Sequence, residues 1–130
     1  MGIRQQVVLD THEWIWLITG DARLHPALSS GQLSGRPVIS AITIWECMLL
    51  IQKGRIKTRS SAEATVREWL DLYPVEVHSV TAEIAILSRS LPFAHDDSGD
   101  RIIGATAHHL RLPLVTRDQA LLSLPWLQTL

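Results

Sequence analysis

Cysteine is nearly missing: Cys47 is the one example in 130 residues. That excludes an internal disulfide framework and a cysteine-based zinc cluster, and it suits a reducing compartment. An excess of basic charge is missing too. Lys and Arg number 12 against 13 Asp and Glu, a net charge of −1. This argues against a polybasic protein that grips nucleic acid through its overall field; such a role would need a local basic patch or a bound cation. Nor is there a long apolar run. The most apolar stretch, Ile39 to Ile51, is too short to span a bilayer and carries Glu46. Met1 to Gln6 lacks the apolar core and small-residue cleavage site of a signal peptide, and Gln6 breaks the myristoylation pattern. No internal repeat or low-complexity tract stands out. What remains is a 46% hydrophobic chain, enough for one core in a single domain over residues 1–130. The expectation is a soluble, cytoplasmic protein with no membrane partner.

Short β-branched runs alternate with longer helical patterns. Val7 to Leu9, Val38-Ile39, Val75 to Val80 and Pro113 to Val115 read as strands, and Leu127 to Leu130 as an edge strand. The alternation in Val75 to Val80 predicts a strand buried on one face. Helices are expected over Thr11 to Thr19, Pro26 to Leu33, Ser40 to Gln52, Ser60 or Ser61 to Pro74, Thr81 to Ser90, Asp100 to Leu110 and Arg117 to Leu122. Strands separated by helices imply right-handed βαβ crossovers. The fold class is therefore α/β: a three-layer α/β/α sandwich around a central, mostly parallel sheet of four to five strands. In such sheets, ligands collect at the carboxyl ends of the strands, where strand order reverses.

Carboxylates stand at those ends. Asp10 follows the first strand. Ser40 follows the second and opens the helix that carries Glu46. Asp97 and Asp100 open the helix feeding the strand at 113–115, and Thr116 and Asp118 follow that strand. Taken singly, each Asp reads as a helix cap or first-turn acid. Asp10 and Glu13 even fit a capping box. Glu46 does not fit that pattern. It lies beyond the first turn, with Ile42, Thr43, Leu49 and Leu50 at spacings of three and four. A carboxylate on so apolar a stripe must be neutralised, paired or bound to a cation. Converging carboxylates repel unless a counter-charge joins them. Oxygen-only ligation favours Mg²⁺ or Mn²⁺, and two such ions about 4 Å apart would clamp an in-line displacement at a phosphodiester.

The residues then resemble a family. Val8-Leu9-Asp10-Thr11-His12, Ser40-Ala41-Ile42-Thr43-Ile44-Trp45-Glu46, His95 to Ala107, and Leu114-Val115-Thr116-Arg117-Asp118 look like the four motifs of a PIN-domain protein. They most resemble the VapC-type toxins of bacterial toxin–antitoxin pairs. The resemblance runs from residue 8 to 118. It implies a PIN-like fold and an Mg²⁺- or Mn²⁺-dependent endoribonuclease. Asp10, Glu46 and Asp100 match the family's acidic core, and Asp118 its more variable fourth acid, all with catalytic and metal-binding roles. Asp97 matches the first Asp of an Asp-Pro-x-Asp-Arg motif, as a metal ligand or a helix cap. Here Ser98 replaces the Pro and Gly99 is x. Thr11, Ser40, Thr116 and Arg101 are candidates for the surrounding shell. The resemblance also implies an RNA substrate, a homodimer and a cognate antitoxin that blocks the site.

Other residues carry weaker signals. The six histidines form no recognisable ligand spacing; His12 sits near Asp10, and His95 belongs to the turn before the third motif. The five tryptophans suit core or interface anchors, with base stacking as a second role. Trp14 and Trp16 point about 200° apart on one helix, so both cannot face the core. Lys53 to Arg59 is the only basic run, a solvated loop or an RNA-backbone contact. Two competing functions stay open: another metal-dependent phosphoesterase or DNA nuclease, and a degenerate domain that only binds RNA or protein.

Overall fold

The computed structural model describes residues 5–30, 33 and 35–130. Its strands are β1 (Val8–Leu9), β2 (Val38–Ser40), β3 (Glu76–His78) and β4 (Leu114–Val115). Its helices are α1 (Thr11–Thr19), α2 (Pro26–Ser29), α3 (Ala41–Gln52), α4 (Ala62–Leu72), α5 (Ala82–Ser90), α6 (Ser98–Leu110) and α7 (Gln119–Leu122). The four strands form one parallel sheet in the order β3-β2-β1-β4. Val8 faces Val38 on one side and Leu114 on the other. The expected fifth strand is a single parallel bridge, Thr129 to Leu114. The helix expected over Pro26 to Leu33 ends at Ser29; residues 31, 32 and 34 lie outside the described residues.

Side chains alternate across the sheet, as strand geometry requires, and both faces are covered. Val7, Leu9, Ile39 and Val115 pack on one face with Trp14, Cys47, Val66 and Trp69. Val8, Val38 and Leu114 pack on the other with Ile103, Ala107, Leu121 and Leu127. Parallel strands buried on both faces read as continuous apolar runs, which is why Val7-Val8-Leu9 carries no polar alternation. Trp14 meets Trp69 edge-to-face with ring centroids 5.9 Å apart. Trp16, on the opposite side of α1, stays partly exposed, so only one of this pair enters the core.

β3 departs from expectation. It pairs with β2 at the rim of the sheet, and its side chains are not buried: Val77 is 43% exposed. The alternating pattern reports strand geometry there, without a covered face.

The connections set up the site. Asp10 ends β1 and caps α1; Ser40 ends β2 and caps α3. Three residues, Thr116 to Asp118, join β4 to α7. From β1 the chain winds outward to β2 and β3, then returns to place β4 on the other flank of β1. The order reverses beside β1, so a crevice opens at the carboxyl ends of β1 and β4.

Candidate metal centre

Asp10 occupies that crevice. Its backbone N–H donates to Val115 O at 3.0 Å, extending the β1–β4 ladder by one bond. Its Oδ1 accepts from the Thr11 N–H at 2.8 Å, and its Oδ2 accepts from the Thr116 hydroxyl at 2.7 Å. Both carboxylate oxygens are thereby oriented, and the side chain is 8% exposed. Burial raises its pKa, opposed by these two hydrogen bonds.

Glu46 arrives from α3. Its Oε1 accepts from the Thr11 hydroxyl at 2.7 Å. With its proton committed there, Thr11 Oγ1 takes the Thr43 hydroxyl as a donor at 3.1 Å. The buried chain Thr43–Thr11–Glu46 therefore aims the carboxylate. Gly99, on the first turn of α6, makes room for it: a Cβ at position 99 would overlap the Glu46 carboxylate. Desolvation raises the Glu46 pKa, and Asp10 and Asp97 add to the effect.

α6 begins at Ser98, two residues earlier than expected, because Asp97 is its N-cap. Asp97 Oδ1 accepts the Asp100 N–H at 3.0 Å. This fixes Asp100 in the first turn, and Asp100 is the most perturbed acid of the group. Burial, then the charges of Asp10, Asp97, Asp118 and Glu46, push its pKa up to about 8. Asp118 comes from the β4 side. It is the N-cap of α7, its Oδ1 accepting the Ala120 N–H at 2.8 Å. Thr116 ties the two strand ends together: its hydroxyl donates to Asp10 and accepts from the Asp118 N–H at 3.0 Å.

Asp10, Glu46, Asp97, Asp100 and Asp118 all line one cavity of 580 Å³. The structure thus brings together the acids from four separate segments. Ser40 and Arg101 form no hydrogen bond with these acids among the described residues. The Ser40 hydroxyl accepts from the Ile42 N–H at 3.1 Å as a helix cap. Arg101 turns away: its guanidinium donates to Ser88 O at 2.8 Å and His95 O at 3.1 Å, and lies 4.6 Å from the Phe93 ring centre. It braces the segment before α6 and so does not belong to the shell around the acids. The basic run from Lys53 to Arg59 follows α3 and lines no part of this cavity.

Other residues beside the acids carry no clear mark of the site in the sequence. His95 accepts the Asp97 N–H on Nδ1 at 3.1 Å and sets Nε2 3.5 Å from Asp100 Oδ2. Ligand atoms of His95, Asp100 and Asp118 lie within 4.8 Å of one another. Because Nδ1 is an acceptor, a neutral ring carries its proton on Nε2, facing Asp100. Glu13 overturns the capping-box reading. The Asp10 N–H it should have accepted is spent on Val115. Glu13 is 1% exposed, and its Oε2 accepts the His25 N–H at 3.0 Å. Its Oε1 has no hydrogen-bond partner among the described residues and lies 3.9 Å from Arg117 Nε. Arg117 and Trp16 complete this wall of the cavity. The signal for Arg117 was its place between Thr116 and Asp118; nothing in the sequence showed the loop at His25 folding over Glu13.

The donor set fits a hard divalent cation. The acids are oxygen ligands held close together, and among the described residues no Lys or Arg forms an ion pair with Asp10, Glu46, Asp100 or Asp118. The Asp100 pKa is raised first by burial and then by the neighbouring carboxylates, and a divalent cation would offset the second effect.

The PIN-domain sequence profile matches residues 7–127, and the chain belongs to that family. Solved structures share the whole architecture. A toxin–antitoxin complex from Klebsiella pneumoniae is 27% identical with a TM-score of 0.70, over 95% of this chain and 97% of that one. DNA-bound VapBC from Salmonella typhimurium is 20% identical with a TM-score of 0.70, over 97% of each chain. VapBC2 from Rickettsia felis, bound to a promoter DNA fragment, is 18% identical with a TM-score of 0.67, over 98% of each chain. No curated protein matches the sequence. No helix among the described residues is long and apolar enough to cross a membrane.

Proposed function

We propose that this PIN-domain protein is an Mg²⁺- or Mn²⁺-dependent endoribonuclease, the VapC-type toxin of a toxin–antitoxin pair. The observation that carries the reading is the crowding of Asp10, Glu46, Asp100 and Asp118 around one cavity, with Asp100 pushed up to about 8. Asp10, Glu46, Asp100 and Asp118 would hold the cation, with Asp97 at the rim and one of its oxygens committed to capping α6. When bound, such an ion lowers the pKa of water and offsets charge at a phosphodiester. The protein's own contribution is orientation. Thr116 and the Thr11 N–H fix both oxygens of Asp10, and the Thr43–Thr11 pair fixes Glu46. The N–H groups of α6 and α7 fix Asp97 and Asp118. Held this way, the carboxylates need no rearrangement as charge develops on the substrate. His95, with its Nε2 proton beside Asp100, is placed to share that acid's charge.

A cognate antitoxin belongs to this reading through the likeness to the toxin–antitoxin complex of Klebsiella pneumoniae. The homodimer follows from the family resemblance alone. Single-stranded RNA, single-stranded DNA and a small phosphodiester, each incubated with the purified protein and Mg²⁺ or Mn²⁺, test the function. RNA cleavage that disappears in Asp10→Asn supports it. Equal cleavage by that variant, or a preference for DNA or the small ester, overturns it.

A further inference from the structure

Trp45 is 60% exposed, although it sits on the most apolar helix of the chain. A bare indole beside a polar cavity offers a stacking face. Trp45 lines the carboxylate cavity, immediately before Glu46 in α3. Across the same cavity, Arg117 immediately precedes Asp118. Its guanidinium lies 6.0 Å from the Trp16 ring centre, and that of Arg23 lies 5.0 Å from it. His12 flanks the same indole with ring centroids 5.8 Å apart. Trp16 therefore supports cations at the rim, while Trp45 has no aromatic or cationic partner among the described residues.

The geometry points to a seat for single-stranded RNA built around the acids: a base beside the scissile phosphate stacks on Trp45, and a flanking phosphate meets Arg117 on its Trp16 support. The placement of the scissile phosphate rests on the nuclease reading; the stacking does not. The chemistry favours a single-stranded nucleic acid as the occupant. With a cation among the carboxylates the floor attracts an anion, and a phosphodiester brings one together with the flat aromatic surface that Trp45 lacks. Stacking also frees a chain of net charge −1 from relying on bulk attraction. A paired helix hides its base faces, so the seat selects unpaired strands.

The test uses the full chain and a fluorescein-labelled 12-nucleotide RNA, with binding read by anisotropy and cleavage by KM and kcat in Mg²⁺. Trp45→Ala, at an exposed position, should weaken binding and raise KM about tenfold, with kcat within about twofold. Trp45→Phe should restore most of the loss and Trp45→Leu little of it. Arg117→Ala should weaken binding in a way that fades as salt rises, whereas the Trp45→Ala deficit persists in salt. Binding of a duplex of the same length should be unchanged by Trp45→Ala. RNA bound through Trp45 without any cleavage would sink the nuclease reading and leave the seat standing. Unchanged binding and KM in Trp45→Ala would overturn the seat. So would a Trp45→Ala variant that loses only the antitoxin, which would make the surface a protein contact.

Discussion

Burial and the surrounding carboxylates give Asp100 an electrostatic cost, and that cost has a sign. Its folded-state pKa, about 8, lies far above the ordinary carboxylate value near 4. Its contribution to stability is therefore fully present below about pH 4 and is lost as pH rises through 8. Asp100→Asn should stabilise the ion-free protein at pH 8 by about 2–4 kcal/mol and change it little at pH 4; denaturant unfolding at both values measures this. Gly99→Ala makes a separate prediction. The added methyl displaces the Glu46 carboxylate, so cation affinity should fall about 10- to 100-fold. Stability should change by no more than about 1 kcal/mol, because the gain in helix propensity offsets the lost Thr11 hydrogen bond. Glu46 itself was legible in the sequence, since an acid on an apolar stripe demands a partner. Glu13 was not. Its short-range spacing matched a cap, and the burial that decides its role comes from a loop twelve residues away.

At the scale of elements, the strand-to-helix junctions were the most legible feature. Asp10 and Ser40 cap helices directly after apolar runs, so a few residues state both the end of a strand and the start of a helix. The sequence leaves the start of α6 open between Asp97 and Asp100, because both are good early-helix acids, and only the Asp97 Oδ1 bond to the Asp100 N–H decides between them. The exposure of β3 was illegible for a different reason: alternation fixes pleat, while the edge position is a property of the sheet. Helix capping away from the site supplies a control. Ser61 Oγ accepts the Ala64 N–H at the start of α4. Ser61→Ala should cost about 1 kcal/mol by thermal or chemical unfolding, with cation binding and RNA cleavage unchanged. A loss of cation affinity in this variant would show that the acids depend on global stability rather than on their local hydrogen bonds.

Across the whole molecule, the sheet order β3-β2-β1-β4 is what turns scattered acids into one group. The reversal beside β1 sets Thr116 and Asp118 against Asp10, residues more than a hundred positions apart. The sequence marked which strand ends carry acids; the side of β1 on which β4 returns depends on long-range pairing and is visible only in the fold. The arrangement has a global pH signature. Asp10, Glu46 and Asp100 all have raised pKa values, so the ion-free protein should lose stability as pH climbs from about 4 to 8. Exposed Asp21, lowered to about 2 by Arg23, and Asp96, lowered by Arg89, act the opposite way, and their contribution disappears only as pH falls below 4. A divalent cation should abolish most of the high-pH loss, and its binding should release protons. Calorimetric titration of Mn²⁺ into the wild-type protein at pH 7, in two buffers of different ionisation enthalpy, reads affinity and proton release together. The expected result is saturable binding with about one proton released, lost in Asp10→Asn, and with proton release lost in Asp100→Asn. No saturable heat, or the same binding in Asp10→Asn, would contradict it.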